Sequence, residues 1–296
     1  LNIMVSKSVY LEQASEPLPD RACGSKSFLD SVTPLIITFN EIDNIARTLE
    51  ALDWAKQIVV IDSGSTDGTL DVLSANPRVR VIFNKFEGFA QQCMFGLSQI
   101  ETEWVLSLDA DYVLTNDLQR ELAQLTPHAT QSGFRAAFVY LIHGKPLRGA
   151  LYPARTILYR RALATYNNIG HGHKVVIAGQ VDDLSSPVFH DDRKPLSRWL
   201  ASQTNYARAE AAHLLSADPS ALRPIDKLRR MGWLTPPLVF FFTLFVRGCA
   251  WDGLNGWHYA LQRLYAEILL ALQIADNRLI AKQHSSTKES EVETSC

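Results

Sequence analysis

The 296 residues carry 29 basic and 31 acidic side chains, a formal charge of -2, and 47% hydrophobic residues. That length can bury a full core without covalent staples, and the near-neutral balance excludes the broad positive field of a nonspecific nucleic-acid binder. Cys23, Cys93, Cys249 and Cys296 lie far apart and at no metal-ligand or redox spacing, so neither a disulfide framework nor a thiolate zinc site is expected, and a reducing compartment is.

Residues 1–30, punctuated by Pro17, Pro19 and Gly24, read as an irregular lead-in. No long apolar run follows a basic start, which argues against a signal peptide and for cytosolic residence. From Ser31 the chain organises. SVTPLIITFN is a β-branched run ending at Asn40, and Ile42, Ile45, Leu49 and Leu52 then recur at helical spacing. Ile58–Ile61 is continuously apolar, as expected of a strand covered on both faces, and a turn and a helix follow it. VRVIFN gives a third strand, the stretch from Phe89 to Ile100 a helix, and WVLSLDADYVL a fourth strand. Strands alternating with helices predict an α/β nucleotide-binding half over residues 31–127, built on a mostly parallel sheet flanked by helices.

Past Pro127 no clean helix intervenes, and residues 128–220 read as an acceptor-side region of antiparallel edge strands and loops, ending in a helix that begins at PLSRWL. Residues 221–283 form a helical extension. Within it Met231–Val246 lacks any charged side chain, but sixteen residues with Pro236-Pro237 fall short of a spanning helix. Arg223, Lys227, Arg229, Arg230 and Trp233 beside it suit an anionic membrane surface, so the extension is read as membrane-associating, with a buried core helix as the rival reading. Residues 284–296 read as a flexible tail.

Chemistry concentrates at strand ends. Asp109 and Asp111, placed two apart on one extended strand, would point the same way and repel unless an oxygen-loving divalent cation bridged them to a diphosphate. Such a cation, Mg²⁺ or Mn²⁺, would be a Lewis acid for a departing nucleoside diphosphate. Asp62 ends the strand IVVID and is placed to accept from a ribose hydroxyl or a base, while Gly64, Ser65 and Gly68 allow close backbone approach; Asp67 reads as a helix cap. Thr38, Phe39 and Glu41 end the first strand, with Phe39 either stacking on a base or filling core. The run has neither GxxxxGK[ST] nor GxGxxG, which removes an ATPase cradle and a dinucleotide turn. Among the cations of residues 143–161, Arg148 and Arg155 are chosen for phosphate or acceptor contacts. The cluster His171, His173, Asp182, Asp183, His190, Asp191, Asp192 and Arg193 lacks an established zinc spacing and offers a general base for an acceptor hydroxyl.

Taken in order, PLIITFNE, IVVIDSGSTDGT and LSLDADY resemble the inverting family-2 glycosyltransferases, over roughly residues 32–250. GFAQQCMFGL, LRGALYPARTILYRR and HDDRKPLSRWLASQTNYARAEA are most similar to the lipopolysaccharide inner-core β-1,4-glucosyltransferase group. The resemblance implies a GT-A fold, a nucleotide-sugar donor such as UDP-glucose, and a lipid-linked saccharide acceptor such as inner-core heptose. It also implies a peripheral or monotopic place at the cytoplasmic face of the inner membrane. By it Thr38, Phe39, Glu41 and Asp62 contact the nucleotide, Asp109 lies near ribose and diphosphate, and Asp111 binds the metal. Many relatives carry His-Glu where this chain has His173-Lys174, which leaves His173, Asp182 and Asp191 as candidate bases. Met94 stands where many have asparagine. A polyprenyl phosphate acceptor, held by Arg148, Arg155 and Arg193, would need no strong base. Rival classes are a nucleotidyltransferase, which would release pyrophosphate, and a carbohydrate-binding protein without catalysis.

Overall fold

The computed structural model describes the backbone of residues 27–169, 172–220 and 222–293 and, within these, the side chains outside 168–173 and 284–293. The chain forms two compact units, one ending at Lys194 and the other beginning at Pro195.

In the first unit the continuous apolar runs become the strands β1 (Val32–Thr38), β2 (Ile58–Asp62), β3 (Val79–Phe83) and β4 (Trp104–Asp109). All five residues of β2 are buried. The pleat sends successive side chains to opposite faces, and both faces are covered: Ile36, Val60 and Leu106 enter one core, and Leu35, Val59, Ile61 and Val105 the other. Helix α1 (Ile45–Glu50) and α2 (Thr69–Ser74) follow β1 and β2, and α3 (Phe89–Ser98) follows β3. On α3, Gly96 faces β1 so closely that a Cβ there would lie 2.6 Å from Leu35 Cδ1.

Pairing is parallel among β3, β2, β1 and β4. Beyond β4 the sheet continues through β9 (Arg155–Arg160) and β6 (Gln131–Ala136), both in antiparallel pairings, and ends at β12 (Gln180–Asp183). The seven-stranded order is therefore β12-β6-β9-β4-β1-β2-β3, parallel in the predicted half and mixed beyond it.

WVLSLDADYVL is not one strand. The chain turns at Ala110 and Asp111, and β5 (Tyr112–Leu114) joins a second sheet of order β5-β13-β7-β8, with β7 (Phe138–Ile142), β8 (Lys145–Pro146) and β13 (Val188–His190). A helix unforeseen in the sequence, α4 (Asn116–Gln124), follows β5; Thr115 caps it by accepting from the Leu118 amide. A hairpin of β10 (Ala164–Ile169) and β11 (Gly172–Ile177) packs on α3.

The second unit is helical: α5 (Leu196–Ser216), α6 (Pro224–Met231), α7 (Thr235–Phe241) and α8 (Gly253–Glu293). Pro236 and Pro237 fall in the first turn of α7, where amides lack intrahelical acceptors anyway. A π-turn over Phe242–Val246 and a 3-10 turn over Cys249–Asp252 lead into α8.

Candidate functional site

The carboxyl ends of β1 and β2 are stitched together by side chains. Asp62, 2% exposed, accepts four hydrogen bonds. Its Oδ1 takes the Gly64 and Ser65 amides at 2.8 and 2.9 Å; its Oδ2 takes Thr38 Oγ1 at 2.9 Å and Ser65 Oγ at 2.5 Å. That set occupies the lone pairs of a carboxylate. Thr38 and Asp62, the expected nucleotide contacts, are thus hydrogen-bonded within the turn that they shape. Across the gap the Asn40 amide donates to Ser65 Oγ at 2.7 Å, and Asn40 Oδ1 accepts from the Thr66 amide at 2.7 Å, with Asn40 held at φ 57°. Burial would raise the Asp67 carboxyl, but the hydrogen bonds it accepts from the Thr69 hydroxyl and amide and from the Ile42 amide together outweigh that and hold it below its ordinary value. Phe39 is 53% exposed, so it is not core; Phe83, which ends β3, and Phe86 are exposed as well.

The Asp109–Asp111 step is a corner rather than an extended dipeptide. Thr48, fully buried on α1, donates to the Ala110 carbonyl at 2.7 Å and pins it. Asp109 ends β4 beside Ile37 of β1. Asp111 instead looks toward the second sheet, where Asp111 Oδ2 and His190 Nε2 stand 3.1 Å apart. Burial alone would raise the Asp111 carboxyl, but the imidazole of His190, with Lys194 beyond it, outweighs that and holds it below the usual range. His190 pairs in register with Tyr112 and is edged by the rings of Tyr112, Tyr140 and Tyr152 at 4.5 to 5.4 Å. Its Nδ1 is buried without a hydrogen-bond partner.

Segment 190–194 is clamped to α1. Asn44, 1% exposed, donates to Glu41 Oε2 at 2.8 Å and Asp192 Oδ1 at 3.0 Å, and accepts from the Arg193 amide at 2.9 Å. Lys194 Nζ lies 2.7 Å from Glu41 Oε1 and 3.5 Å from Asp192. Burial would lower the Lys194 ammonium, yet Asp111, Glu41 and Asp192 together push it well up; Glu41 itself is raised, chiefly by burial. Glu41 therefore enters the site as an ion pair with Lys194.

Of the candidate bases, Asp191 is only 3% exposed, with its carboxylate between Arg193 (Nη2, 2.7 Å) and Arg47 (Nε, 3.4 Å). Asp182 sits on the edge strand β12, three strands from β4, hydrogen-bonded to Gln131 and Gln180. The backbone of His173 pairs with Asn168 on the hairpin; its side chain lies outside the described residues, as does His171. Arg155 lies over the Tyr152 ring at 4.9 Å; burial would lower its guanidinium, but Tyr112, Tyr152, Asp109 and Asp111 together outweigh that and push it up. Arg148 is exposed, and Arg193 is engaged by Asp191. His190 was one of eight residues in a cluster without a ranking signal, while Asn44 and Lys194 carried none, because their partners are about 150 positions away in sequence.

Among the described residues no three His, Cys, Asp or Glu side chains form a metal cage. A carboxylate oxygen and an imidazole nitrogen converging at Asp111 and His190 nevertheless fit a divalent cation whose other ligands come from phosphate, and a nitrogen ligand suits Mn²⁺ better than Mg²⁺.

Residues 34–171 match the model of glycosyl transferase family 2. That stretch is similar to a family 2 glycosyltransferase domain. With its parallel half-sheet and antiparallel continuation, the chain has a GT-A-like α/β fold. The chain is 24% identical over 273 residues to an uncharacterised glycosyltransferase of Rickettsia conorii, covering 87% of this chain and 94% of the relative. It is 26% identical over 253 residues to the lipopolysaccharide core biosynthesis glycosyltransferase LpsC of Rhizobium meliloti, covering 82% and 91%. Among solved structures it is similar to the glucosyl-3-phosphoglycerate synthase of Mycobacterium tuberculosis in complex with Mn²⁺, UDP and phosphoglyceric acid, at TM-score 0.42 and 14% identity, covering 64% and 83%. The family 2 match ends before His190, so half of the Asp111–His190 pair lies outside it.

Proposed function

We propose that the protein transfers a hexose, glucose from UDP-glucose, with inversion, to a lipid-linked saccharide of the lipopolysaccharide inner core at the cytoplasmic face of the inner membrane. The observation that carries the reading is the convergence of Asp111 and His190 at the corner after β4, in a family 2 domain. The acceptor class is supported by the likeness to a relative named for lipopolysaccharide core biosynthesis.

Phe39 offers its exposed ring to the base, and the Asn40 and Ser65 turns, fixed through Asp62, bring backbone up to the nucleoside. Asp109 lies nearest ribose and diphosphate, and Asp111 with His190 would hold Mn²⁺ or Mg²⁺. Such a cation supplies Lewis-acid stabilisation of the leaving diphosphate. Lys194, set between Glu41 and Asp192, fixes Glu41 as a carboxylate beside the corner. Arg155, and Arg148 and Arg193 further out, bind acceptor phosphate or anionic sugar. The acceptor hydroxyl attacks the anomeric carbon from the face opposite the nucleotide and passes its proton to a base. With Asp182 and Asp191 engaged elsewhere, that base is assigned to His173.

The test is a donor and acceptor screen with the purified protein and either cation, read by product mass, linkage and released nucleotide. UDP release with a β-linked hexose on the acceptor is expected, and Asp111→Asn is expected to lower kcat by about 10²- to 10³-fold with unchanged circular dichroism. Pyrophosphate release from a nucleoside triphosphate, or full turnover by Asp111→Asn, would overturn the assignment.

A further inference from the structure

The helical unit leaves much of its apolar surface uncovered. Trp233 and Trp251 are each 74% exposed, and Phe241, Phe245 and Val246 are 56 to 64% exposed. The charge-free run therefore does not form a core helix; it ends α7 in a π-turn whose aromatic side chains face outward, with Phe241 and Phe245 stacked at 6.2 Å. On α8 the exposed residues Leu254, Trp257, Leu261, Ile268, Leu272 and Leu279 recur at three, four or seven positions, so they form one stripe. At 1.5 Å per residue that stripe is about 37 Å long. Phe240, just before the π-turn, meets Trp257 of the stripe with ring centroids 6.2 Å apart. A groove of about 590 Å³ is lined by Trp233 and Pro236 on one side and Leu272 and Leu279 on the other, with Arg278 and Lys282 among its walls.

Charge selects the partner. From Met231 to Gln262 the charged side chains are Arg247 and Asp252, and Asp252 is buried. Residues 195–283 carry ten basic and six acidic side chains within a chain whose total is -2. Three tryptophans, three phenylalanines and a cationic margin are the composition of a surface seated at the boundary of headgroups and acyl chains. A second copy of the chain would bring the same positive charge against itself. Among the described residues no single helix is long and apolar enough to cross a membrane, and the bent pair Thr235–Val246 and Cys249–Gln283 turns through 67°.

We propose that this face of the helical unit, the π-turn and the α8 stripe together, inserts in the plane of an anionic phospholipid bilayer to the depth of the upper acyl chains. The inference deepens the reading of a membrane-held acceptor, and it rests on that reading only for its purpose.

The full chain is mixed with vesicles of phosphatidylethanolamine and phosphatidylglycerol, or of phosphatidylcholine alone, containing lipids brominated near the headgroup or near the chain end. Insertion predicts sedimentation with the anionic vesicles and stronger tryptophan quenching by the shallow bromines. Replacing Phe245, Trp251 and Leu254 together by Ser is expected to weaken vesicle binding by about 100-fold or more, since each large apolar side chain contributes about tenfold or more when buried. Leu272→Ser with Leu279→Ser, which touches α8 alone, is expected to weaken it as well, and circular dichroism confirms that each variant folds. Absence of quenching, binding abolished by salt alone, or variants that bind vesicles like the parent overturn the proposal; so does a dimer that the triple variant splits while no form binds lipid. Transfer to a water-soluble acceptor fragment is read separately. If it fails while insertion is seen, the acceptor reading falls and the docking face stands.

Discussion

Replacing Asp62 separates a residue that shapes a turn from one that touches ligand. In Asp62→Ala two buried hydroxyls and two backbone amides lose their acceptor. The hydroxyls can rotate toward one another, whereas the Gly64 and Ser65 amides cannot. Each stranded buried donor costs about 1–3 kcal/mol, and because Gly64 is only half-buried the loss is expected near the lower end, about 3 kcal/mol in all. In Asp62→Asn the side-chain oxygen can still take both amides while its NH₂ donates to the hydroxyls, so the cost falls to about 1 kcal/mol. Urea midpoints give the order, and amide exchange gives the place: at Gly64 and Ser65 the Ala variant should exchange about 100-fold faster than the parent, the Asn variant about fivefold. Equal exchange in both variants, or an Ala variant as stable as the parent, refutes the account of Asp62 as an internal acceptor.

Other perturbations test the surroundings. Asp191→Ala strips a buried carboxylate from Arg47 and Arg193 and is expected to cost about 3 kcal/mol in a denaturant melt, with Asp191→Asn recovering part of it. Gly96→Ala drives a methyl into Leu35 and should lower stability by about 1–3 kcal/mol, less when paired with Leu35→Ala. Burial, with Asp109 as a lesser cause, pushes the Cys93 thiol far up. Thiolate formation therefore needs a higher pH in the fold than in the unfolded chain, and Cys93 should resist alkylation even near pH ~9 until denaturant is added, as peptide mass mapping would reveal.

The half-sheet was legible because β1, β2 and β4 are apolar on both faces and because each parallel strand is followed by a local signal, a helix or a turn. The helix α4 could have been found from Thr115 as a cap ahead of Leu118 and Leu122; reading WVLSLDADYVL as one long strand drew attention away from it. The second sheet was not legible, since β13 pairs with β5 and β7 from far along the chain and no strand in it exceeds five residues. That sheet is also why the Asp109–Asp111 reading needed revision. Residue types identified two acids near one point, but the corner at Ala110 sends them to different layers. Satisfaction of Asp62 and Asp191 was equally hidden, because a carboxylate in sequence does not declare how many donors surround it.

One consequence of that corner concerns how the protein could change without losing its chemistry. His190 is carried by a strand zipped on one edge to the residues just after Asp111 and on the other to β7. The spacing of the Asp111–His190 pair is therefore set by ladder rungs, like the jaws of a caliper. The β7–β8 tip and the stretch that follows it hang from the far jaw, so exchanging them for those of another transferase should retarget the sugar that is modified while leaving the gauge unmoved.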